Sequence, residues 1–310
     1  MKYSGSSAPA RRPAAEPKLC PTLLAIASSA RTALAMRLLF LLPLLALSAF
    51  AAEPFFFVQA SDPQFGMFAE NKDFSQETAN WTFAIENINR LHPAFVVVTG
   101  DLVNKGGDAA QIAEYKRISG MLDPSIHLYS VPGNHDVGND PTPESLAAYR
   151  KNIGPDYYSF HEGPVYGIVL DSSLLKAPAK VMDEAAKQEK WLTAELEKAK
   201  ASGAMPVIFL HISLFLEKPD EPEQYFNQPV ETRKRILQLL HRYGVRYVFA
   251  GHLHKNSYGT DDDIEMITTS AVGKPLGKDP SGFRIIQLQD GVLDQQYIPF
   301  GKLPNKYPAK

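Results

Sequence analysis

The sequence predicts an α/β fold, and two observations carry the prediction. Apolar runs of β character alternate with segments of helical periodicity along most of the chain. Three of those runs also end in glycine followed by residues of metal-ligand type. Phe95-Val96-Val97-Val98-Thr99 delivers Gly100-Asp101, Ile126 to Val131 delivers Gly133-Asn134-His135-Asp136 through Pro132, and Arg246 to Ala250 delivers Gly251-His252-Leu253-His254. In open α/β sheets the carboxyl ends of strands are where sites form, so these turns are expected to meet at one metal centre.

The first 51 residues stand apart. Met36-Arg37 precedes the run Leu38 to Leu47, and Ala49-Phe50-Ala51 supplies small residues at a cleavage point. A basic start, a short apolar stretch and such a point describe a secretory signal peptide, too short to read as a membrane span. Residues 1–35 have no periodicity, so Met36 is the expected initiator, with cleavage after Ala51 and export to the periplasm or beyond. Removing residues 1–51 takes six of 32 basic residues and one of 34 acids, which leaves 26 against 33, a net charge of −7. So acidic a chain has no general attraction for nucleic acid or an anionic membrane, and neither is expected as a stable partner. The only cysteine, Cys20, leaves with the leader, so any metal is held by nitrogen and oxygen. Residues 52–310 are expected to form one soluble domain, acting as a monomer.

Within that domain Phe55-Phe56-Phe57-Val58-Gln59-Ala60 reads as a buried strand that stops at Ser61-Asp62-Pro63-Gln64. Trp81, Phe83, Ala84, Ile85, Ile88 and Leu91 fall at helical spacing and place a helix over 75–91, closed by Pro93. A strand at 95–99 and a helix near 109–121 come next. Beyond the Gly133 turn, a helix at 143–152 precedes strands near 157–161 and 165–171. Residues 183–201 form a long amphipathic helix with Trp191, Leu192 and Leu196 inward. Pro206 to Leu210 is a further buried strand ending at His211. A loop through Pro219 and Pro222 leads to a helix at 230–243 and the strand before Gly251. Short strands at 264–269, 283–288 and 292–298 complete the chain.

Asp62, Gln64, Asp101, Asn134, His211, His252 and His254 all lie at or just beyond strand ends. Two carboxylates, two amides and three imidazoles are too many for one ion and suit two, with one carboxylate shared. Two cations about 3.5–4 Å apart can hold a hydroxide between them and clamp both oxygens of an in-line displacement at phosphorus. The donor set therefore points to hydrolysis of a phosphoester. Asp136 reads as a supporting residue or helix cap. His92, His127, His161 and His241 fit no ligand pattern, and Asp261-Asp262-Asp263 lacks the spacing and glycine of a calcium loop.

With these motifs in this order, residues 52–310 resemble the calcineurin-like metallophosphoesterases. The stretches Gln59 to Gly66, Gly244 to His252, Ser270 to Gly273 and Leu276 to Pro280 are most similar to the complete serine/threonine protein phosphatase branch and its bacterial relatives. The resemblance implies a four-layer α/β/β/α sandwich of two mixed sheets, and a phosphatase or phosphodiesterase that uses two divalent metal ions. It implies that Asp101 bridges both ions, that Asp62, Gln64 and His254 complete one site, and that Asn134, His211 and His252 complete the other. His135 would be the general acid.

Two positions depart from the family pattern. Most relatives carry imidazole where this chain has Gln64, and an amide there favours harder ions, Mn²⁺ over Zn²⁺. Protein phosphatases proper carry an aspartate three residues after the bridging one to orient the histidine, and here that position is Asn104. No arginine follows it, which leaves Lys105 and Lys255 as candidate cations for phosphate. The expected activity is hydrolysis of phosphomonoesters, with phosphoserine or phosphothreonine in proteins as one substrate class. Phosphodiesters or nucleotides are the variant on the same site, and a metal-binding scaffold of weak activity is the alternative that Gln64 and Asn104 raise.

Overall fold

A computed structural model describes residues 55–307. The expected leader, over 1–51, lies outside them. Eleven strands follow in chain order among the described residues: β1 (Phe55–Ala60), β2 (Phe95–Val98), β3 (His127–Ser130), β4 (Tyr158–Glu162), β5 (Val165–Val169), β6 (Met205–Phe209), β7 (Tyr247–Ala250), β8 (Ser257–Asp261), β9 (Ile264–Thr268), β10 (Gly282–Gln289) and β11 (Val292–Pro299). The helices are α1 (Ser75–Leu91), α2 (Ala109–Ser119), α3 (Asn134–Val137), α4 (Pro143–Asn152), α5 (Ser172–Lys176), α6 (Met182–Ser202) and α7 (Val230–Tyr243). None is long and apolar enough to cross a membrane.

The strands form two mixed sheets, ordered β11-β10-β1-β2-β3 and β4-β5-β6-β7-β9-β8. Side chains alternate across each strand, and that alternation builds the layers. Phe57, Phe95 and Val97 of one sheet meet Val207, Phe209, Tyr247 and Phe249 of the other in a shared inner core. Phe57 stacks on Phe95 at 4.5 Å between centroids and turns its edge to Phe209 and Phe249 at 6.0 Å each. The intervening residues face outward. Val58, Ala60, Val96 and Val98 pack under Trp81, Ile85 and Ile88 of α1, while Ile208 and Val248 pack under Leu192 and Leu196 of α6 and Ile236 and Leu240 of α7. Three apolar cores between four layers give the expected α/β/β/α sandwich.

The sequence reading departs from the fold in a few places. The run expected as one strand over 165–171 stops at Val169, because Asp171 accepts N–H bonds from Ser173 and Leu174 and caps α5. Edge strand β8 was not expected, since Ser257-Tyr258-Gly259-Thr260-Asp261 shows no apolar alternation. Trp191 is only partly buried and lies against Tyr157, whereas Leu192 and Leu196 are fully inside. His241, which fits no ligand pattern, meets the carboxylate of Asp261 through Nε2 at 2.9 Å.

Candidate metal centre

The ends of β1, β2, β6 and β7 come together above a polar tie between the sheets. Gln59 points inward from β1, donates to Thr99 Oγ1 at 3.0 Å and to the Ala250 carbonyl at 2.9 Å, and accepts from Thr269. Beyond the strands the first two loops keep pairing. Asp62 N–H reaches the Gly100 carbonyl at 3.1 Å and Gln64 N–H the Asp101 carbonyl at 2.8 Å. The backbone there is bent: Asp62, Gln64, Asp101, His252 and His254 all have φ between 40° and 68°. Non-glycine residues rarely adopt that region, and where they do it is held by surrounding structure, commonly at sites. The preceding glycines are required by close approach. A Cβ on Gly133 would lie 2.1 Å from Asp101 N, and one on Gly251 would lie 1.9 Å from Ser61 Oγ.

Two buried groups result, Asp62-Asp101-His254 and Asp101-His211-His252, each with its ligand atoms within 4.8 Å of one another. Asp101 belongs to both. His254 Nε2 is 3.2 Å from Asp62 Oδ1, and His211 Nε2 is 3.2 Å from Asp101 Oδ2. Asn134 joins the second group, its Oδ1 3.0 Å from His211 Nε2. Gln64, two residues beyond Asp62 in the same loop and buried, has an Oε1 that no hydrogen bond satisfies among the described residues. A buried acceptor without a donor fits a cation ligand. The donor set of oxygens and imidazoles, one carboxylate common to both halves, fits two divalent cations.

Four imidazoles are fixed the same way, by donating one ring N–H to a main-chain carbonyl. His211 Nδ1 pairs with Thr99 O at 2.7 Å, His254 Nδ1 with Lys274 O at 2.6 Å, His252 Nε2 with Tyr225 O at 3.2 Å, and His135 Nδ1 with Asn104 O at 2.8 Å. Each bond sets the tautomer and leaves the other nitrogen available to the centre. The carboxylate missing at position 104 is thus replaced, for His135, by that residue's own carbonyl. Asp136 is the support it was expected to be: it accepts N–H bonds from Leu102, Val103 and Gly133, tying the Asp101 loop to the Asn134 turn.

Charge follows position. Burial disfavours the imidazolium of His211, but the Asp101 and Asp62 carboxylates outweigh it and push its pKa up to about 9. Burial likewise opposes the charge of Asp101, and His211 overrides it to hold that carboxyl far below its usual range. His252 is pushed down to about 4, by burial first and by the charge of His211 second. A divalent cation would take the place of the His211 proton.

All seven expected ligand residues therefore lie buried around the same strand ends. Lys105 and Lys255 are exposed and form no ion pair among the described residues. Tyr225 went unrecognised in the sequence. Its carbonyl holds His252, its hydroxyl receives Asn134 Nδ2 at 3.1 Å, and its ring lies 4.7 Å from that of His252. The only available signal was an aromatic residue in a proline-rich loop.

Comparison with known proteins agrees with this architecture. The family model of the calcineurin-like phosphoesterases matches residues 57–256. The serine/threonine-protein phosphatase CPPED1 of Homo sapiens is 34% identical, over 84% of this chain and 90% of the relative. A cAMP/cGMP dual specificity phosphodiesterase of Mycobacterium tuberculosis is 26% identical, over 70% of each chain. Among solved structures, a dimetal phosphatase from Danio rerio shares the fold with a TM-score of 0.57 at 18% identity, covering 80% of this chain and 97% of its own. Fold and site together define a metal-dependent phosphohydrolase. The chain belongs to the calcineurin-like phosphoesterase family.

Proposed function

We propose that this phosphohydrolase acts on phosphomonoesters, with phosphoserine and phosphothreonine in proteins as its substrate class. The observation that carries the site assignment is the pair of buried groups sharing Asp101, flanked by the unpartnered Oε1 of Gln64. Asp62, Gln64 and His254 would hold one cation and Asn134, His211 and His252 the other, with Asp101 common to both. When bound, such a pair supplies Lewis acidity toward phosphoryl oxygens and an activated water. The chain contributes the proton: Asn104 O holds His135 Nδ1–H, so in the imidazolium form it is Nε2–H that gives its proton to the leaving oxygen and returns the ring to the neutral Nδ1–H tautomer. The amide at Gln64 supports Mn²⁺ as the preferred ion.

The name of the human relative supports a protein substrate. The mycobacterial relative supports a second reading, a phosphodiester cleaved at the same centre. Hydrolysis of aryl phosphate, aryl phosphodiester, phosphopeptide and nucleotides with Mn²⁺, Fe²⁺, Zn²⁺ or Mg²⁺ decides between them. The phosphopeptide with Mn²⁺ is expected to give the highest kcat/KM, and a larger value for the diester would favour the second reading. We also propose an exported monomer. The leader pattern at 36–51 supports export, and an intact mass beginning at Ala52 together with a monomeric mass in solution checks both.

A further inference from the structure

Four side-chain amides form a line from a buried residue in the first turn of α2 to Gln64, and their hydrogen bonds fix which end of each is oxygen. The line starts at Gln111. One atom of its amide receives the main-chain N–H of Lys105 at 3.0 Å and that of Asn104 at 3.1 Å, the latter shared with the Phe65 carbonyl at 3.0 Å, so that atom is the acceptor, Oε1. The other end, Nε2, donates at 2.9 Å to Asn71, whose facing atom is therefore Oδ1. Asn104 meets the same oxygen at 2.8 Å and must do so with Nδ2. Its Oδ1 then faces Gln64 and accepts Nε2–H at 3.1 Å. The atom of Gln64 left over is Oε1, buried and unpartnered. Two backbone N–H groups thus decide, through three intermediates, that the free end of the Gln64 amide is its oxygen and not its NH₂.

We propose that Asn104 is a positioning residue that, locked by Asn71 and Gln111, presents Gln64 Oε1 to the cation held by Asp62 and His254, and so selects oxygen-preferring ions there. The inference rests on the two-cation reading above. It gives Asn104 two separable tasks, since its carbonyl holds His135 and its side chain holds Gln64. A wrong end of the Gln64 amide would point two hydrogens at a cation.

The line can be reversed from its far end. In Gln111→Glu the carboxylate still accepts both backbone N–H groups but has no hydrogen for Asn71. Asn71 then turns to donate, Asn104 turns with it, and Gln64 must give its oxygen to Asn104 Nδ2. Equilibrium dialysis of Mn²⁺ against the purified chain is expected to show one of two sites weakened about 10–100-fold and the other unchanged. Adding Gln64→Glu to that variant should restore the site, because a carboxylate offers an oxygen to each side. Asn104→Leu, at a partly exposed position, removes the side-chain link while keeping the carbonyl, and should give the same one-site loss. Thermal melting of the cation-free variants checks folding. Two Mn²⁺ at wild-type affinity in both Gln111→Glu and Asn104→Leu, or equal weakening of both sites, would overturn the proposal alone. A wild-type chain that binds fewer than two Mn²⁺ would overturn the two-cation reading and the proposal with it.

Discussion

On the Asn134 side of Asp101, both imidazoles are pinned to main-chain carbonyls, Thr99 O for His211 and Tyr225 O for His252. On the Asp62 side, His254 is pinned to Lys274 O, but the Gln64 amide is held by one side chain, that of Asn104. A ring tied to the backbone cannot turn without moving a strand end or a loop. An amide tied to another amide can exchange its ends with little displacement of its neighbours. The Asn134 half is therefore expected to fix geometry, and the Asp62 half to tune which cation is accepted.

The largest effect should come from the residue that both halves share. Asp101→Asn keeps the shape and removes the common charge, so turnover should fall to background and metal analysis should find fewer than two ions per chain. In the cation-free chain Asp101 pairs with the charged His211, so the variant should also melt at a lower temperature at neutral pH. Two ions retained at wild-type affinity would remove Asp101 from the junction and dissolve the comparison.

His135 lies outside both halves and tests whether chemistry separates from binding. His135→Ala should keep both ions and lose on the order of 10²–10⁴-fold in kcat, the usual worth of a positioned general acid. The loss should be smaller for a nitrophenyl ester, whose leaving group departs unaided, than for a phosphoserine peptide. Equal losses on the two substrates at full metal content would mean that His135 positions phosphate and supplies no proton.

Much of this was legible in the sequence, and the reasons differ between the halves. Candidate ligands at strand ends follow from glycine and apolar pattern, so Asp101, Asn134, His211, His252 and His254 could be proposed from the motifs. Strand alternation also placed the α/β elements, while the two-sheet sandwich came from family resemblance. What escaped depends on loops approaching one another. Tyr225 reaches Asn134 across 91 positions, and Asn71 reaches Asn104 across 33, through contacts no local pattern records. The carbonyl of Asn104 that orients His135 is invisible for a further reason: every residue has one, and only the turn of the chain decides its use.

A smaller effect is expected from changing the adjustable half directly. Gln64→His places an imidazole beside Asn104 Oδ1, where it can donate one N–H and offer its other nitrogen to the cation. Zn²⁺ should then survive dialysis at about tenfold lower free concentration or better, with little change for Mn²⁺. Competition with a chelator of known affinity measures the difference. Unchanged affinity for both ions would place the side chain outside the ligand set.

The smallest effect should come from a side-chain hydroxyl on the half whose two imidazoles are fixed by backbone. Tyr225→Phe keeps the carbonyl that holds His252 and the ring that covers it, and removes only the hydroxyl bonded to Asn134 Nδ2. Asn134 Nδ2 retains Asn139 Oδ1 at 3.0 Å, so its own Oδ1 should stay directed at the centre. One hydrogen bond in a half-exposed position is worth about 0.5 kcal/mol at the low end of the range, and kcat/KM should change by no more than about threefold with both ions bound. Tyr225→Ala, which also strips the ring from His252, should cost more and weaken one ion. If Tyr225→Phe instead lost tenfold or more at full metal content, the hydroxyl would be touching the substrate. The Asn134 half would then depend on a mobile side chain just as the Gln64 half does, and the division between a fixed and an adjustable side would fail.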